Sequence, residues 1–347
     1  MEAMNAVRLT EAGRPLELEA VPVPVPDNLN VVVRIRAAGI CHSDVHFWAG
    51  DYPVSALPIT LGHEVAGEVA AIGPLVDPAW LGRRVCLHYV VSCGQCQACR
   101  QGRESLCSRA EILGMSRDGG YAEFISIPAA NLVALPPEIP FEHGAVLMCS
   151  AATSYHALRR GRLQAGESVA IFGAGGVGMS AVQLARAFGA SQVVVVDIQE
   201  ERLQMAARYG AMPVNARAEN PIHAIRDLTG GLGVDVALGM VGLPETMQQT
   251  VQSVGPAGRA VLVGLTDRAF EIHPTDDVIL KEVEILGSID HVYHELATVV
   301  DWARRGVLDM GGVVQETVPL DPVAITDTLA ALARFGGAVR TVITPGR

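Results

Sequence analysis

The chain has 347 residues, half of them hydrophobic, 5% aromatic and 36 of them glycine; that is enough for two domains with cores of their own and suits an α/β protein rich in tight turns. Its formal net charge of −11 argues against a nucleic-acid surface or an anionic membrane as partner. The longest apolar runs are strand-sized and broken by glycine or charge, so no membrane span is expected, and residues 1–5 lack the basic and apolar stretches of a secretory leader.

Residues 6–140 read as short strands and turns. The stretches 31–35, 67–72 and 121–127 have strand character, and Pro22, Pro24, Pro26, Pro53 and Pro58 suit a loop-rich β domain. Two scattered candidates for metal chemistry lie here: Cys41, in Cys41-His42-Ser43-Asp44-Val45-His46, and His63, followed by Glu64. Then comes a dense cluster. Cys93, Cys96, Cys99 and Cys107 fall within fifteen residues, spaced C-x2-C-x2-C-x7-C. Four thiolates this close can close a tetrahedral shell around one zinc ion, and a closed shell holds a fold and does no chemistry. The odd total of seven cysteines, four of them clustered, points to metal usage in a reducing, cytoplasmic compartment and not to a secreted disulfide scaffold. Cys86 fits no such pattern and reads as a buried core thiol.

Near Pro140 the pattern changes. Residues 141–158 have no proline and read as one helix carrying Cys149. Strand-like segments follow at 168–172, 192–196, 234–238, 260–264 and 284–288, with helices expected at 177–188 and 200–209. Such alternation predicts a parallel sheet covered by helices on both faces. The first strand runs into Gly173-Ala174-Gly175-Gly176-Val177-Gly178. In a phosphate-cradling turn, Gly173 permits the bend, Gly175 lets the backbone approach a pyrophosphate, and Gly178 lets the helix pack close to the strand. Asp197 ends the next strand. A carboxylate there accepts from both adenosine ribose hydroxyls and repels a 2′-phosphate, which favours NAD over NADP; the other reading is a cap for the following helix. Arg202 either braces the ribose or is a solvated helix charge. The tail, 292–343, holds two helix-like segments and a strand at 339–343.

Singly, Cys149 on an apolar helix reads as core and His63 as an ordinary polar residue, whereas a Cys/His/Cys set makes an open zinc site. The stretches CHSDVHFWAGDYP at 41–53, GHEVAGEVAAIG at 62–73, the four-cysteine lobe, DGGYAEFISIP at 118–128, CSAATSY at 149–155, GAGGVG at 173–178, Asp197 and AVRTVI at 338–343 resemble a zinc-dependent medium-chain alcohol dehydrogenase over nearly the full length. The resemblance implies a GroES-like catalytic domain over 1–144 and 289–347, with the zinc lobe at about 92–109, and a Rossmann NAD-binding domain over 145–288. It makes Cys41, His63 and Cys149 the ligands of a catalytic zinc, beside the structural one. Glu64 lies next to them, and Asp44 accepts a hydrogen bond from His63 and fixes its tautomer. Ser43 takes the alcohol proton, and a relay through the nicotinamide ribose ends at His46. His42 and Arg340 contact the cofactor pyrophosphate, Val263 and Leu265 flank the nicotinamide, and Trp48 and Tyr52 line the substrate pocket. Taken alone, His42, His46 and Arg340 read as polar surface, and Trp48, Tyr52, Val263 and Leu265 as packing.

The implied reaction is reversible hydride transfer between a small-molecule alcohol and NAD, giving an aldehyde or ketone, in a homo-oligomer with a tetramer favoured over a dimer. A polyol or amino-alcohol substrate, of the sorbitol or threonine kind, is the alternative. A non-enzymatic NAD- and zinc-binding redox sensor is the rival of a different class, against which the complete set Cys41, Ser43, His46, His63 and Cys149 argues.

Overall fold

The structure, a computed structural model, describes residues 2–346; Met1 and Arg347, the outer ends of the catalytic-domain ranges expected above, lie outside the described residues. Two compact units are present. The first comprises Met1–Cys149 with Val292–Arg347, the second Ser150–His291. The boundaries therefore fall a few residues beyond 144 and 288. Residues 145–149 go with the first unit because the helix Phe141–Val146 packs on its strands Asn30–Ile40 and Glu64–Ile72.

In the first unit Asn30–Ile40 is the central strand. The strand reading at 31–35 was too short. Arg34 and Arg36 alone are exposed, and Val31, Val33, Ile35, Ala38 and Ile40 are buried. Such a run belongs to a strand paired on both sides. Glu64–Ile72 pairs antiparallel with it, and on the other side Phe124–Pro128 takes its first half and Arg340–Ile343 its second. The register sets Gly39 opposite Glu64. Cys41, just past the end of one strand, and His63, just before the start of the other, are thereby drawn together. The tail adds a strand-helix-strand crossover, Val314–Val318, Pro322–Ala333 and Arg340–Ile343, with its strands parallel.

The second unit is a six-stranded parallel sheet. Its order is Met212–Asn215, Gln192–Asp197, Ser168–Phe172, Val234–Gly239, Val254–Leu262 and Glu284–Gly287. The chain runs outward from Ser168–Phe172 in one direction, then crosses back to its other side, so the order reverses beside that strand. In open parallel sheets, ligands bind beyond the carboxyl ends of strands at such a reversal. Two expectations need correction. The strand placed at 260–264 begins at Val254 and ends at Leu262, because Gly255, Pro256 and Gly258 make its start look like a loop. The helix expected over 141–158 is α-helical at Phe141–Val146 and Ala152–Arg160 but widens to a π turn at Leu147–Ala151. The helices Pro221–Leu228 and Pro244–Gln252 and the strand Met212–Asn215 were not foreseen. Proline opens each helix at a first-turn position, where its missing N–H costs nothing.

Candidate active site

Cys41 caps the helix His42–Ala49, and Asp44, three residues on, reaches back so that its Oδ2 accepts from the Cys41 amide at 2.9 Å. The other oxygen of Asp44 accepts from the Gly62 amide at 3.2 Å and lies 3.3 Å from His63 Nδ1. That last contact is close but off the line of a formed hydrogen bond. One buried carboxylate thus ties down the backbone at Cys41, the backbone next to His63, and the imidazole face of His63. With Nδ1 turned to Asp44, Nε2 is the nitrogen available to an ion.

Cys149 arrives from the π turn, and its Sγ lies 3.9 Å from Cys41 Sγ. One residue wedged into a helix re-aims the side chain there, which is why π turns recur at functional sites. Ligand atoms of Cys41, His63, Glu64 and Cys149 all lie within 4.8 Å of one another, and all four residues are buried. Two sulfurs bound tetrahedrally to zinc at about 2.3 Å stand about 3.8 Å apart, so the observed separation fits that ion. The oxygens of Glu64 accept no hydrogen bond; its partner is Arg340, with Nη2 3.2 Å from Oε1. Burial pushes the Glu64 carboxyl up to about 8 against the pull of Arg340. A hydrogen bond from Cys149 holds the Cys41 thiol well below its usual range, and Cys149 rises correspondingly. Burial opposes a charged His63, but Asp44 and Cys41 together raise the imidazole well above its usual range. To hold a divalent ion, Cys41 and Cys149 would have to be thiolates and His63 neutral, so binding would be linked to proton release.

Ser43 stands at the same place, its Oγ 4.0 Å from Cys41 Sγ. His46 is one turn farther along the helix, with Nδ1 3.2 Å from Asp51. His42 stacks on Phe335. Trp48 packs against the core and donates its indole N–H to the Arg14 carbonyl at 2.6 Å. Tyr52 meets His46 edge-on. Arg340 is buried, its Nη1 donating to the Ile40 carbonyl at 3.1 Å; its charge faces Glu64, a contact the sequence gave no sign of. Tyr121 was also missed. Burial and then the Asp44 carboxylate keep its phenol neutral. Cys86 is buried and donates to the Gly144 carbonyl at 3.2 Å.

The lobe brings its four sulfurs within 4.8 Å of one another, at 3.9 Å for Cys93–Cys99, 3.4 Å for Cys96–Cys99 and 3.5 Å for Cys93–Cys107. Four thiols with no vacant corner fit a structural zinc. Arg109, overlooked in the sequence, donates to Cys93 Sγ at 3.3 Å and offsets the excess negative charge of such a site.

In the second unit, Gly173 takes φ 103° and donates to the Val196 carbonyl at 2.7 Å. A Cβ on Gly178 would lie 1.7 Å from the Gly173 carbonyl oxygen, whereas one on Gly175 would meet nothing. The strand-to-helix packing therefore demands glycine at Gly178, and the space beside Gly175 is free for a pyrophosphate. The helix Gly176–Ala187 starts there, including Val177, with its first amides directed outward. Asp197 is held by the surrounding backbone. Its Oδ2 accepts from Ala174 N at 2.6 Å, and Oδ1 from Ile198 N at 2.7 Å and Gln199 N at 2.9 Å. Arg202 lies partly exposed on the helix Glu200–Arg208. Val263 and Leu265 lie just past the end of their strand, where Val263 N and Gly264 N both donate to the Gly239 carbonyl at 3.0 Å.

Residues 27–137 match the alcohol dehydrogenase GroES-like domain, and residues 176–305 match the zinc-binding dehydrogenase family. The chain is 32% identical to an NAD-dependent alcohol dehydrogenase of Sulfurisphaera tokodaii, over 99% of this chain and 100% of the relative. It is 36% identical to an L-threonine 3-dehydrogenase of Symbiobacterium thermophilum, over 99% and 98%. The solved alcohol dehydrogenase of Thermus sp. ATN1 superposes with a TM-score of 0.91 at 31% identity, covering 99% of this chain and 100% of that one. With a GroES-like β unit, a parallel dinucleotide sheet and two metal-binding constellations in one chain, this protein belongs to the zinc-dependent medium-chain dehydrogenases/reductases.

Proposed function

We propose that the chain is an NAD-dependent zinc alcohol dehydrogenase that interconverts a primary or secondary alcohol and its aldehyde or ketone. The observation that carries this reading is the buried set Cys41, His63, Glu64 and Cys149 with the Ser43 hydroxyl at its edge. A binder needs only the closed lobe. Bound zinc lowers the pKa of an alcohol oxygen, so that the alkoxide forms near neutral pH. The protein's own residues do the rest. Cys41, His63 and Cys149 would hold the metal, Asp44 fixes the ring of His63, and Glu64 stays behind, paired with Arg340. Ser43 accepts the proton lost by the alcohol, and His46, a quarter exposed, passes it to solvent. Gly173, Gly175, Gly176, Val177 and Gly178 hold the cofactor pyrophosphate, with His42 as a further contact. Val263 and Leu265 sit by the nicotinamide. Tyr52 borders the alcohol, and Cys93, Cys96, Cys99 and Cys107 hold the structural zinc.

The assay is zinc quantification with NADH production over primary, secondary, aromatic, polyol and amino-alcohol substrates. Two zinc ions per chain and turnover of a simple alcohol are expected. Polyol or threonine oxidation alone would move the substrate assignment, and zinc and NAD bound without turnover would favour the redox-sensor reading. The cytoplasmic, homo-oligomeric part of the proposal rests on cysteine usage and the resemblance. Among the described residues, no helix is long and apolar enough to cross a membrane.

Asp197 gives a separate prediction. Its place at the end of Gln192–Asp197 supports a contact with the adenosine ribose. Asp197→Gly should raise the KM for NAD about tenfold and move the NAD/NADP preference by about the same factor. Part of the loss comes from freeing the Ala174 amide, which Asp197 anchors. An unchanged cofactor preference in steady-state kinetics would refute the ribose role.

A further inference from the structure

The helix His42–Ala49 ends by folding the chain back onto one of its own residues. Gly50 takes φ 84°, in the left-handed region that glycine adopts without strain. The amides of Gly50, Asp51 and Tyr52 all point at the carbonyl of His46, at 3.1, 3.0 and 3.4 Å. The side chains of the same turn converge on the imidazole of His46. Asp51 Oδ2 lies 3.2 Å from Nδ1, and the Tyr52 ring meets the imidazole edge-on, with 5.4 Å between centroids. From the preceding helical turn His42 closes in, also edge-on, at 5.3 Å, and is itself stacked on Phe335 at 5.5 Å. The backbone of one short turn therefore holds the main chain of His46, and its side chains hold the imidazole.

A carboxylate can only accept. Nδ1 of His46 therefore carries the hydrogen, and the lone pair sits on Nε2. We propose that Asp51 is a positioning residue of the proton relay: it fixes the His46 tautomer whose bare Nε2 receives the proton leaving the alcohol. The inference rests on the relay role proposed above for His46. One proton enters at Nε2 to give an imidazolium whose Nδ1–H still faces the carboxylate, and the same Nε2 then gives one proton up to water, so the side chain returns to its Nδ1–H state. Asp51 keeps its hold on Nδ1 throughout, and because it is 62% exposed its replacement leaves the core untouched. Tyr52 and His42 keep the ring from turning. Packing around the relay is thus a second use for Tyr52, beside its border with the substrate.

The test is single-turnover NADH formation by the zinc-loaded enzyme with saturating NAD and the best alcohol of the panel. Asp51→Ala should slow the turnover roughly five- to tenfold, a fraction of what a positioned general base supplies, with the KM for NAD changed less than about twofold. Added glycinamide, a small diffusible base, should restore part of the rate. Asp51→Asn should keep at least about half the parent rate, because its amide oxygen still accepts from Nδ1–H. A parent-like rate for Asp51→Ala, a slow Asp51→Asn matching it, or a slow Asp51→Ala that ignores the added base each overturns the proposal. His46→Gln separates the two levels. If it runs at the parent rate, the relay reading fails and the role of Asp51 with it. If it is slow while Asp51→Ala is not, only the role of Asp51 fails.

Discussion

Cys149→Ala is expected to cut alcohol oxidation by about 10³-fold or more, equivalent to roughly 4 kcal/mol or more of transition-state stabilisation, and to lower the zinc content from two ions per chain to one. Zinc at the proposed site is asked to stabilise the alkoxide, and no other group in the nest can take that charge. Cys41, Glu64 and Cys149 are thiol or carboxyl, His63 is turned to Asp44, and Arg340 is turned to Glu64. Removing the Cys149 sulfur leaves Cys41 and His63 as a two-point grip, with Glu64 the remaining donor in reach. The fold should survive, because the thiol is one small group in a continuous helical stretch whose surroundings include buried Val146, Leu147, Met148 and Ala151. Zinc analysis, circular dichroism and turnover on the same preparation decide the matter. Full zinc with undiminished turnover would remove Cys149 from the ligand set. Full zinc with lost turnover would give the sulfur a role other than holding metal.

Cys93→Ser should do the reverse. The lobe has almost nothing else to hold it: its helix Gln97–Arg100 has four residues and none of them is buried, and isolated helices below about twelve residues are marginal in water. A closed zinc site supplies the missing cohesion directly as folding free energy. Losing one thiolate, and the Arg109 contact with it, should lower the thermal midpoint by roughly 5–10 °C. The molecules that remain folded should keep turnover within about threefold. Calorimetry beside specific activity reads both quantities. An unmoved midpoint with abolished turnover would exchange the roles assigned to the two metal sites.

The two experiments separate sites that were unequally visible in the sequence. The lobe is local: four cysteines within fifteen residues name their own chemistry, since the chain between them is too short to carry them far apart. The glycine turn is also local, and the strand before it came out as read, at Ser168–Phe172. Glycine-broken and proline-led segments were less legible. Val254–Leu262 hid its first residues behind Gly255 and Pro256, and the helices led by Pro221 and Pro244 were passed over. There the tertiary setting overrode local propensity, because a strand flanked on both sides by parallel partners tolerates residues that would break an isolated one.

By itself the sequence determined the classes of chemistry: thiols in a zinc spacing, a phosphate-binding turn, an acid at the end of the following strand, and alternating elements that form a parallel sheet. All of these are encoded within one or two dozen residues. Only the tertiary structure decided that Cys41 and Cys149, 108 residues apart, would stand 3.9 Å from each other. That meeting depends on the register that sets Gly39 opposite Glu64 and on the π turn at Leu147–Ala151. The grip of Asp51 on His46 likewise waits on how the turn at Gly50 closes. Strand register and the width of a helical turn are settled by packing across the whole unit, so no local pattern records them.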